Sequence, residues 1–254
     1  MKKIVYSTLI LLLFICLDNY YINGLEENKN ENELKVIKTY EEDLTGNGLK
    51  EIIELKGVLF SPDSNYYRDL VAVITTSENK VWEIPYMGGY EPNLSFIDLN
   101  HDKVNDIFFQ SATGGSGGLY QYHLHTLVKN NLSELPLPEQ PFVKGNFLDN
   151  FKVGVTISPN SEPIIVDVHN RKDDYIRLGL YSKDGKLIKE TSAMVDPIAF
   201  LEPKFISKSK GYGLKSYQQV SGAYHADQLG TVESLWYYDR DKWILLQTKW
   251  MPSN

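Results

Sequence analysis

The sequence has only one cysteine, Cys16, which lies near the end of an apolar N-terminal run. The folded part of the chain therefore has no internal disulfide, which excludes the small secreted folds that are held together by disulfide bridges. The 254 residues are enough for one large domain or two small ones. Such a protein must be stabilised by its hydrophobic core, and a bound metal ion is a further source of stability.

An excess of positive charge is also missing. The 26 lysines and arginines are outnumbered by 33 aspartates and glutamates, and the formal net charge is −7. A protein that binds nucleic acid needs a basic surface to neutralise phosphate groups. We therefore expect no nucleic-acid partner.

Catalytic motifs are scarce in the sequence. It contains no phosphate-binding glycine loop, no zinc signature and no cysteine nucleophile. The segment GGSGG at residues 114–118 matches the G-x-S-x-G pattern of a hydrolase, with Ser116 as the nucleophile. That pattern must join a strand to a helix, whereas residues 119–127 alternate and predict a second strand. A glycine-rich turn is the simpler interpretation, and a hydrolase using Ser116 or a carboxylate pair stays open as an alternative function.

Three histidines are candidates for a site. His123 and His125 are two residues apart on a predicted strand and share a face, but zinc needs a third ligand and the nearby sequence offers none. Partly exposed strand histidines are the alternative. His225 lies two residues before Asp227, so these two side chains form a further candidate pair.

The N-terminus has the pattern of an export signal. Lys2 and Lys3 precede an uncharged, mostly aliphatic run from Ile4 to Leu17, which is typical of a secretory signal. The run is short for a membrane-spanning helix, which needs about 20 apolar residues. We expect a signal helix in residues 1–24, a polar linker in 25–33 and a folded domain in 34–254, with the protein exported to the cell surface or the medium of a bacterium.

The fate of this signal is open in the sequence. Gly24 is the small residue available for cleavage, whereas lipidation at Cys16 is disfavoured because Ile15 stands where lipoprotein signals have a small residue. If the signal is retained, residues 4–22 anchor the protein in the membrane, and it is then a tethered accessory subunit. That is a third functional hypothesis, and fractionation with and without detergent tests it.

The folded region shows almost no 3.6-residue periodicity. Short apolar or alternating runs, separated by Gly, Asn, Asp and Pro, predict strands at 51–55, 70–75, 107–110, 119–127, 152–157, 164–168, 176–181, 234–238 and 243–249. The last two runs flank a polar turn and predict a hairpin. We expect a mostly β fold, a partial or irregular β-propeller-like or sandwich structure built from repeated antiparallel strand units.

An acidic loop occurs twice in the sequence, 55 residues apart. Residues 43–51 (DLTGNGLKE) and residues 98–106 (DLNHDKVND) both have oxygen-bearing side chains at positions 1, 3, 5 and 9, and both precede an apolar strand. A third, decayed copy is predicted near residues 208–219, where the acidic positions are gone. The period is close to that of propeller blades.

The second loop has the chemistry of a calcium site. Calcium takes about six to eight oxygen ligands. Side chains at the four shared positions and one backbone carbonyl supply them here, namely Asp98, Asn100, Asp102, Asp106 and the carbonyl of Val104. Without a cation, the three carboxylates of this loop repel one another. We therefore predict bound Ca²⁺ in this loop.

The first loop is the weaker candidate. Its two carboxylates, Asp43 and Glu51, are separated by Thr45 and Asn47, so it carries less charge. However, it has glycine at position 6, where the backbone must be left-handed, whereas the second loop has Lys103 at a cost of about 1 kcal/mol. Ordinary Asp/Asn turns are the alternative for both loops.

The second loop and the apolar strand after it resemble the FG-GAP/VCBS-type repeat. In that family an Asp-x-Asn-x-Asp-Gly-x-x-Asp loop binds calcium between strands of β-propeller blades. The resemblance covers about residues 34–127 and implies an extracellular binding or adhesion role. Our first hypothesis is therefore an exported, non-enzymatic, calcium-binding β-repeat module whose partner is an extracellular protein or polysaccharide.

Overall fold

The computed structural model describes residues 34–115 and 117–253, so the predicted signal, the linker, Cys16 and Ser116 lie outside the described residues. The described chain is mostly β-structure in antiparallel sheets. Its strands are β1 (Lys35–Glu42), β2 (Glu51–Leu59), β3 (Tyr66–Thr75), β4 (Val81–Ile97), β5 (Asp106–Ala112), β6 (Tyr120–Thr126), β7 (Ser133–Leu135), β8 (Lys144–Leu148), β9 (Lys152–Thr156), β10 (Ile164–Asp167), β11 (Met194–Ser207), β12 (Gly211–Ser221), β13 (Gln228–Asp239) and β14 (Lys242–Pro252). One helix, α1, spans Lys172–Arg177, and short 3-10 turns lie at Val128–Asn130 and His169–Arg171.

Strands β1 to β7 form one meandering sheet in chain order. β4 bends in its middle, where Glu91 has a left-handed φ of 47° and the pairing with β5 is interrupted between Tyr90 and Asn93. The bend brings the second half of β4 back onto β1. There the Tyr40 hydroxyl accepts a hydrogen bond from the Leu94 amide, and the Tyr40 ring packs edge-on against Phe96. The apolar faces of β2, β3, β4 and β5 thus enclose a first core.

The second half of the chain forms two sheets. β8, β9 and β10 make a three-stranded sheet, and β11 to β14 make a four-stranded sheet in chain order. Buried side chains from both sheets and from α1 share a second core that includes Phe147, Val153, Tyr175 and Val232. The two sheets therefore pack as layers, with β10 and β14 each at the edge of its own sheet.

A third core joins the two halves of the molecule. Phe108 of β5 and Leu124 of β6 pack with Leu201, Leu214 and Trp236 of the four-stranded sheet. The Tyr122 hydroxyl accepts a hydrogen bond from the Leu201 amide across this junction. The second acidic loop adjoins this third core, because its residue Leu99 is fully buried there.

The predicted mostly β, antiparallel fold is confirmed, and so is the hairpin near the C-terminus. β13 and β14 are joined by Arg240 and Asp241, both of which have left-handed φ values, the conformation of a two-residue type I′ turn. None of the described sheets closes on itself. Within residues 34–115 and 117–253, no helix is long and apolar enough to cross a bilayer.

The strand predicted at residues 176–181 is wrong. This segment contains the end of α1 and the turn that follows it. Asp173 and Asp174 lie in the first turn of the helix, where negative charge is favourable, and Gly179 ends it in a left-handed conformation. The short apolar run belongs to a helix that buries Tyr175, and apolar runs of this length fit either element.

Candidate functional site

The second acidic loop, residues 98–105, connects β4 to β5, and Asp106 is the first residue of β5. Its side chains bind the loop's own backbone amides. Asp106 Oδ2 accepts hydrogen bonds from the amides of Leu99 (2.8 Å) and Asn100 (3.0 Å). Asp98 Oδ2 accepts one from the Lys103 amide at 3.1 Å. One oxygen of each of these two carboxylates is therefore committed to holding the turn.

The other oxygen of each carboxylate is buried without a partner. Asp98 Oδ1 and Asp106 Oδ1 accept no hydrogen bond from any residue in the described part of the chain. Asp106 is fully buried, and this burial raises its pKa to about 7; the negative charges of Asp102 and Asp98 act in the same direction. A buried carboxylate oxygen without a donor is costly, and a bound cation is one way to remove that cost.

The backbone of this loop is left-handed at Lys103, as the sequence predicts, and also at His101, which the sequence analysis missed. His101 and Lys103 have left-handed φ values of 67° and 74°. Asn100 Oδ1 accepts from the Asp102 amide, and Asp102 Oδ1 accepts from the Val104 amide. These bonds hold Asn100 and Asp102 in the turn, while Asp102 itself is exposed. Side-chain oxygens from positions 1, 3, 5 and 9 thus all accept hydrogen bonds from backbone amides of the same short loop.

The first loop connects β1 to β2 and has the same backbone conformation. Gly46 and Gly48 have left-handed φ values at positions 4 and 6, the positions of His101 and Lys103 in the second loop. Its carboxylates, however, are satisfied by the protein. Asp43 accepts hydrogen bonds from the amides of residues 46, 47 and 48, and Glu51 accepts from the Leu44 amide at 2.7 Å and from the Thr45 hydroxyl at 3.3 Å.

The two loops lie side by side. A Cβ added to Gly46 would be 2.7 Å from a methyl group of Val104, so the loops are in direct contact. Asn105 also donates a side-chain hydrogen bond to Glu42 at the end of β1. The predicted residues Asp43, Thr45, Asn47, Glu51, Asp98, Asn100, Asp102, Val104 and Asp106 therefore belong to one end of the first sheet. Val104 contributes its side chain to this contact, whereas its amide donates to Asp102 within the second loop.

The second loop also contacts the C-terminal half of the molecule. The His101 ring stacks on Tyr237 of β13 with centroids 4.5 Å apart, and Lys210 Nζ lies 4.2 Å from the centroid of the same tyrosine ring. Together with the buried Leu99, His101 fixes the loop to the four-stranded sheet. No local pattern in the sequence predicts this contact, since its partners are distant along the chain.

The described residues contain no group of three or more His, Cys, Asp and Glu side chains arranged to hold a metal ion. Calcium sites also take amide and backbone carbonyl oxygens, which such a group leaves out. The residues of the second loop fit calcium in that Asp98 and Asp106 each have a buried carboxylate oxygen with no donor in the described residues. The residues of the first loop fit it less well, because protein donors already occupy their oxygens.

The paired histidines lie where the sequence places them, on β6. His123 Nδ1 is 3.1 Å from Glu134 Oε1 on the neighbouring strand. His125 is buried, and this burial lowers its pKa. Both rings pack near Tyr86, so the histidines belong to a largely aromatic cluster.

The predicted pairing of His225 with Asp227 is wrong. Asp227 is buried and receives hydrogen bonds of 2.6 Å from Arg171 and from the Tyr175 hydroxyl. His225 instead lies 3.1 Å from Asp196 at the start of β11. The partners missed by the sequence analysis are 29 to 56 residues away along the chain, where no local pattern indicates them.

Gly117, the residue after Ser116 of the alternative hydrolase interpretation, lines a cavity of about 430 Å³ together with Asp196 and His225. The chain enters this glycine-rich segment from β5 and leaves it into β6. The strand predicted after the segment is thereby confirmed, and the strand-to-helix connection of a nucleophile elbow is not formed in the described chain.

Comparison with known proteins finds similarity to a domain family and to a protein of Bacillus subtilis. A family model described as the YybI C-terminal domain matches residues 141–251, which run from just before β8 into β14. The chain is also 27% identical over 201 residues to the protein named "Uncharacterized protein YybI" of Bacillus subtilis (strain 168), covering 76% of each chain. No solved structure matches. The C-terminal layers thus resemble a recognised domain, and the acidic loops lie outside the matched residues of the family model.

Proposed function

We propose that the protein is an exported, non-enzymatic binding module whose second acidic loop holds calcium. On this proposal the layers form an irregular sandwich related to propeller units, and the ion stabilises the junction between its halves. The carrying observation is the pair of buried oxygens, Asp98 Oδ1 and Asp106 Oδ1, that no donor in residues 34–115 and 117–253 satisfies.

The place of the loop supports this role. Leu99 is buried in the core shared by the two halves, and His101 stacks on β13. A cation bound among Asp98, Asp102 and Asp106 would neutralise the repulsion between their carboxylates, which opposes the turn. Calcium bound to the folded state but not to the unfolded state would stabilise the whole protein by about 2.7 kcal/mol at 100 times its Kd.

Thermal unfolding followed by circular dichroism tests the calcium site. The protein is melted in chelator, in calcium and in magnesium, and we expect calcium to raise the Tm. The double variant Asp98→Asn and Asp106→Asn should lose this increase. Asp43→Asn is the matched control, since it changes the same position of the first loop and should keep the calcium effect.

Two results contradict the proposal. One is an equal Tm in calcium and in chelator. The other is a calcium effect that disappears in Asp43→Asn but persists in the double variant, which would assign the ion to the first loop. Export itself is tested separately, by finding whether the mature protein lacks residues 1–24.

A second candidate function, ester or amide hydrolysis, is supported by the cavity that Gly117 shares with Asp196 and His225. A histidine held by a carboxylate is the base that a serine nucleophile needs. Labelling with a fluorophosphonate probe tests this function. Labelling that Ser116→Ala and His225→Ala both remove would support it, and an unlabelled protein would exclude the mechanism that uses Ser116.

A further inference from the structure

Two histidines lie on the face of β6 that packs against Tyr86 of the first core, and neither proposed function uses them. His125 is 8% exposed, and its Nδ1 has no hydrogen-bond partner among residues 34–115 and 117–253. Its ring lies edge-on to the Tyr86 ring with centroids 6.1 Å apart. The centroid of the His123 ring lies 6.2 Å from that of His125. The two imidazoles are therefore neighbours on a largely buried face of the strand.

A single carboxylate lies beside both imidazoles. Glu134 is paired with His125 in the register of β6 and β7, so the two side chains point to the same side of the sheet. Glu134 Oε1, however, lies 3.1 Å from His123 Nδ1. The titratable groups around His125 are Glu134 on β7, His123 on its own strand and Tyr86 on β4, whereas β5 places the apolar Ile107 opposite it.

These surroundings oppose the protonation of His125. Burial is the largest cause and lowers the pKa of His125; the charge of Glu134 raises it again in part, and the charge of His123 lowers it further. Burial also raises the pKa of Tyr86, so its hydroxyl stays neutral and cannot balance a charge. Histidines gain their charge between about pH 5 and 8. Mild acid thus adds a buried charge that one carboxylate, shared with His123, cannot fully balance.

β7 is the element whose release would expose this charge to water. It is the last strand of its sheet, and three residue pairs join it to β6. Short edge segments of this kind open at a low cost in free energy. Leu135 of β7 packs against the third core, and the carbonyl of Pro136 accepts a hydrogen bond of 2.7 Å from Trp243 Nε1 of β14. Release of β7 would therefore loosen the junction between the two halves.

We propose that β6 and β7 form a pH-sensitive switch, in which protonation of His125 in mild acid releases β7 and loosens the junction between the two halves. The open form binds a proton that the closed form resists. The free energy of opening is therefore full above pH 6.5, the ordinary pKa of histidine, and is lost as the pH falls below it. The opening equilibrium shifts by up to about tenfold for each pH unit in this range. The switch goes beyond the proposed binding role and does not use the acidic loops.

Hydrogen–deuterium exchange of the full chain, followed by mass spectrometry, tests the switch. It is measured between about pH 7.5 and 5 in chelator, and the rates are corrected for the pH dependence of chemical exchange. We expect peptides that cover β7 to lose protection by about tenfold or more over this range. Peptides that cover β2, a strand of the first core, report global unfolding and should keep their protection.

Three variants assign the effect. His125→Phe keeps an aromatic ring and cannot take up a proton, so the corrected exchange of β7 should become independent of pH. Glu134→Gln removes the carboxylate that favours the protonated imidazole, so the loss of protection in acid should increase. His169→Phe is the matched control, because it removes an exposed histidine from the turn before α1 and should keep the original pH dependence.

Thermal melts at about pH 7.5 check that the variants fold, and His125→Gln takes the place of His125→Phe if the phenylalanine variant unfolds. A pH dependence of β7 that disappears in the His125 variant and persists in His169→Phe supports the switch. The inference is overturned if β7 exchanges at the same corrected rate at every pH, if the His125 variant keeps the pH dependence, or if β2 loses protection as much as β7.

Discussion

The two acidic loops have similar backbones but differ in how the oxygens of their buried carboxylates are hydrogen-bonded. Each places its position-9 carboxylate at the start of a strand, where it accepts the amide of position 2: Glu51 accepts from Leu44, and Asp106 accepts from Leu99. In the first loop the second oxygen of Glu51 finds the Thr45 hydroxyl. In the second loop the corresponding oxygen of Asp106 finds no donor in the part of the chain that the structure describes.

One methylene group and one hydroxyl group account for this difference. The glutamate reaches farther than an aspartate, and threonine at position 3 offers a donor, whereas Asn100 at that position uses its oxygen for the Asp102 amide and its NH₂ for an Asp102 oxygen. In the first loop, protein donors therefore satisfy the carboxylates without an ion. In the second loop, one buried oxygen each of Asp98 and Asp106 has no donor in the described chain, and that is the feature expected of a cation site.

We expect the largest effect from a substitution that removes the charge of Asp106 but keeps the shape of its side chain. Asp106→Asn keeps an oxygen for the amides of Leu99 and Asn100 but removes the buried charge. In chelator at pH 7 we expect the variant to be more stable than the original protein, by on the order of 4 kcal/mol for a pKa raised from 3.8 to about 7. With calcium present the order should reverse. Urea unfolding in the two conditions measures both differences.

The pH dependence of that difference has a defined sign. The folded-state pKa of Asp106 lies above the unfolded value, so the folded protein binds more protons between 3.8 and about 7. Its contribution to the free energy of unfolding is therefore lost as the pH rises through this window. Burial lowers the pKa of His125 and acts in the opposite direction below its ordinary value of 6.5. Subtracting the Asp106→Asn profile cancels the His125 contribution, and a flat difference would show that Asp106 is not buried as a charge.

We expect the second-largest effect from a substitution that removes the position-9 carboxylate of the first loop. Glu51→Ala leaves the Leu44 amide and the Thr45 hydroxyl without their acceptor, and we expect a loss of about 3 kcal/mol whether or not calcium is present. Glu54→Ala on the same strand is the matched control, since Glu54 is partly exposed and forms an ion pair with Lys56; it should cost below about 1 kcal/mol. Denaturant unfolding measures both. A calcium-dependent loss in Glu51→Ala would show that the first loop also binds the ion.

Local patterns in the sequence predict the loops, the strands after them and the C-terminal hairpin, because turn residues and alternation act over a few positions. They also predict which residues lie in each acidic loop. They do not predict which loop is satisfied, since that depends on the distance between side chains in the folded turn. Long-range partners, such as Tyr237 for His101 or Asp196 for His225, follow from the packing of the sheets and have no local signal.

We expect the smallest effect when the residues at position 6 of the two loops are exchanged. Lys103 has a left-handed φ of 74°, a conformation that costs a lysine about 1 kcal/mol relative to glycine. Lys103→Gly should therefore stabilise the protein by about this amount in chelator and, by removing a positive charge from beside the carboxylates, tighten calcium binding. Gly48→Lys should destabilise the first loop by a similar amount, since Gly48 has a φ of 85°, and should leave calcium binding unchanged. Denaturant unfolding and calcium titration compare the two variants; a calcium affinity that Lys103→Gly fails to raise would mean that the charge of Lys103 points away from the ion.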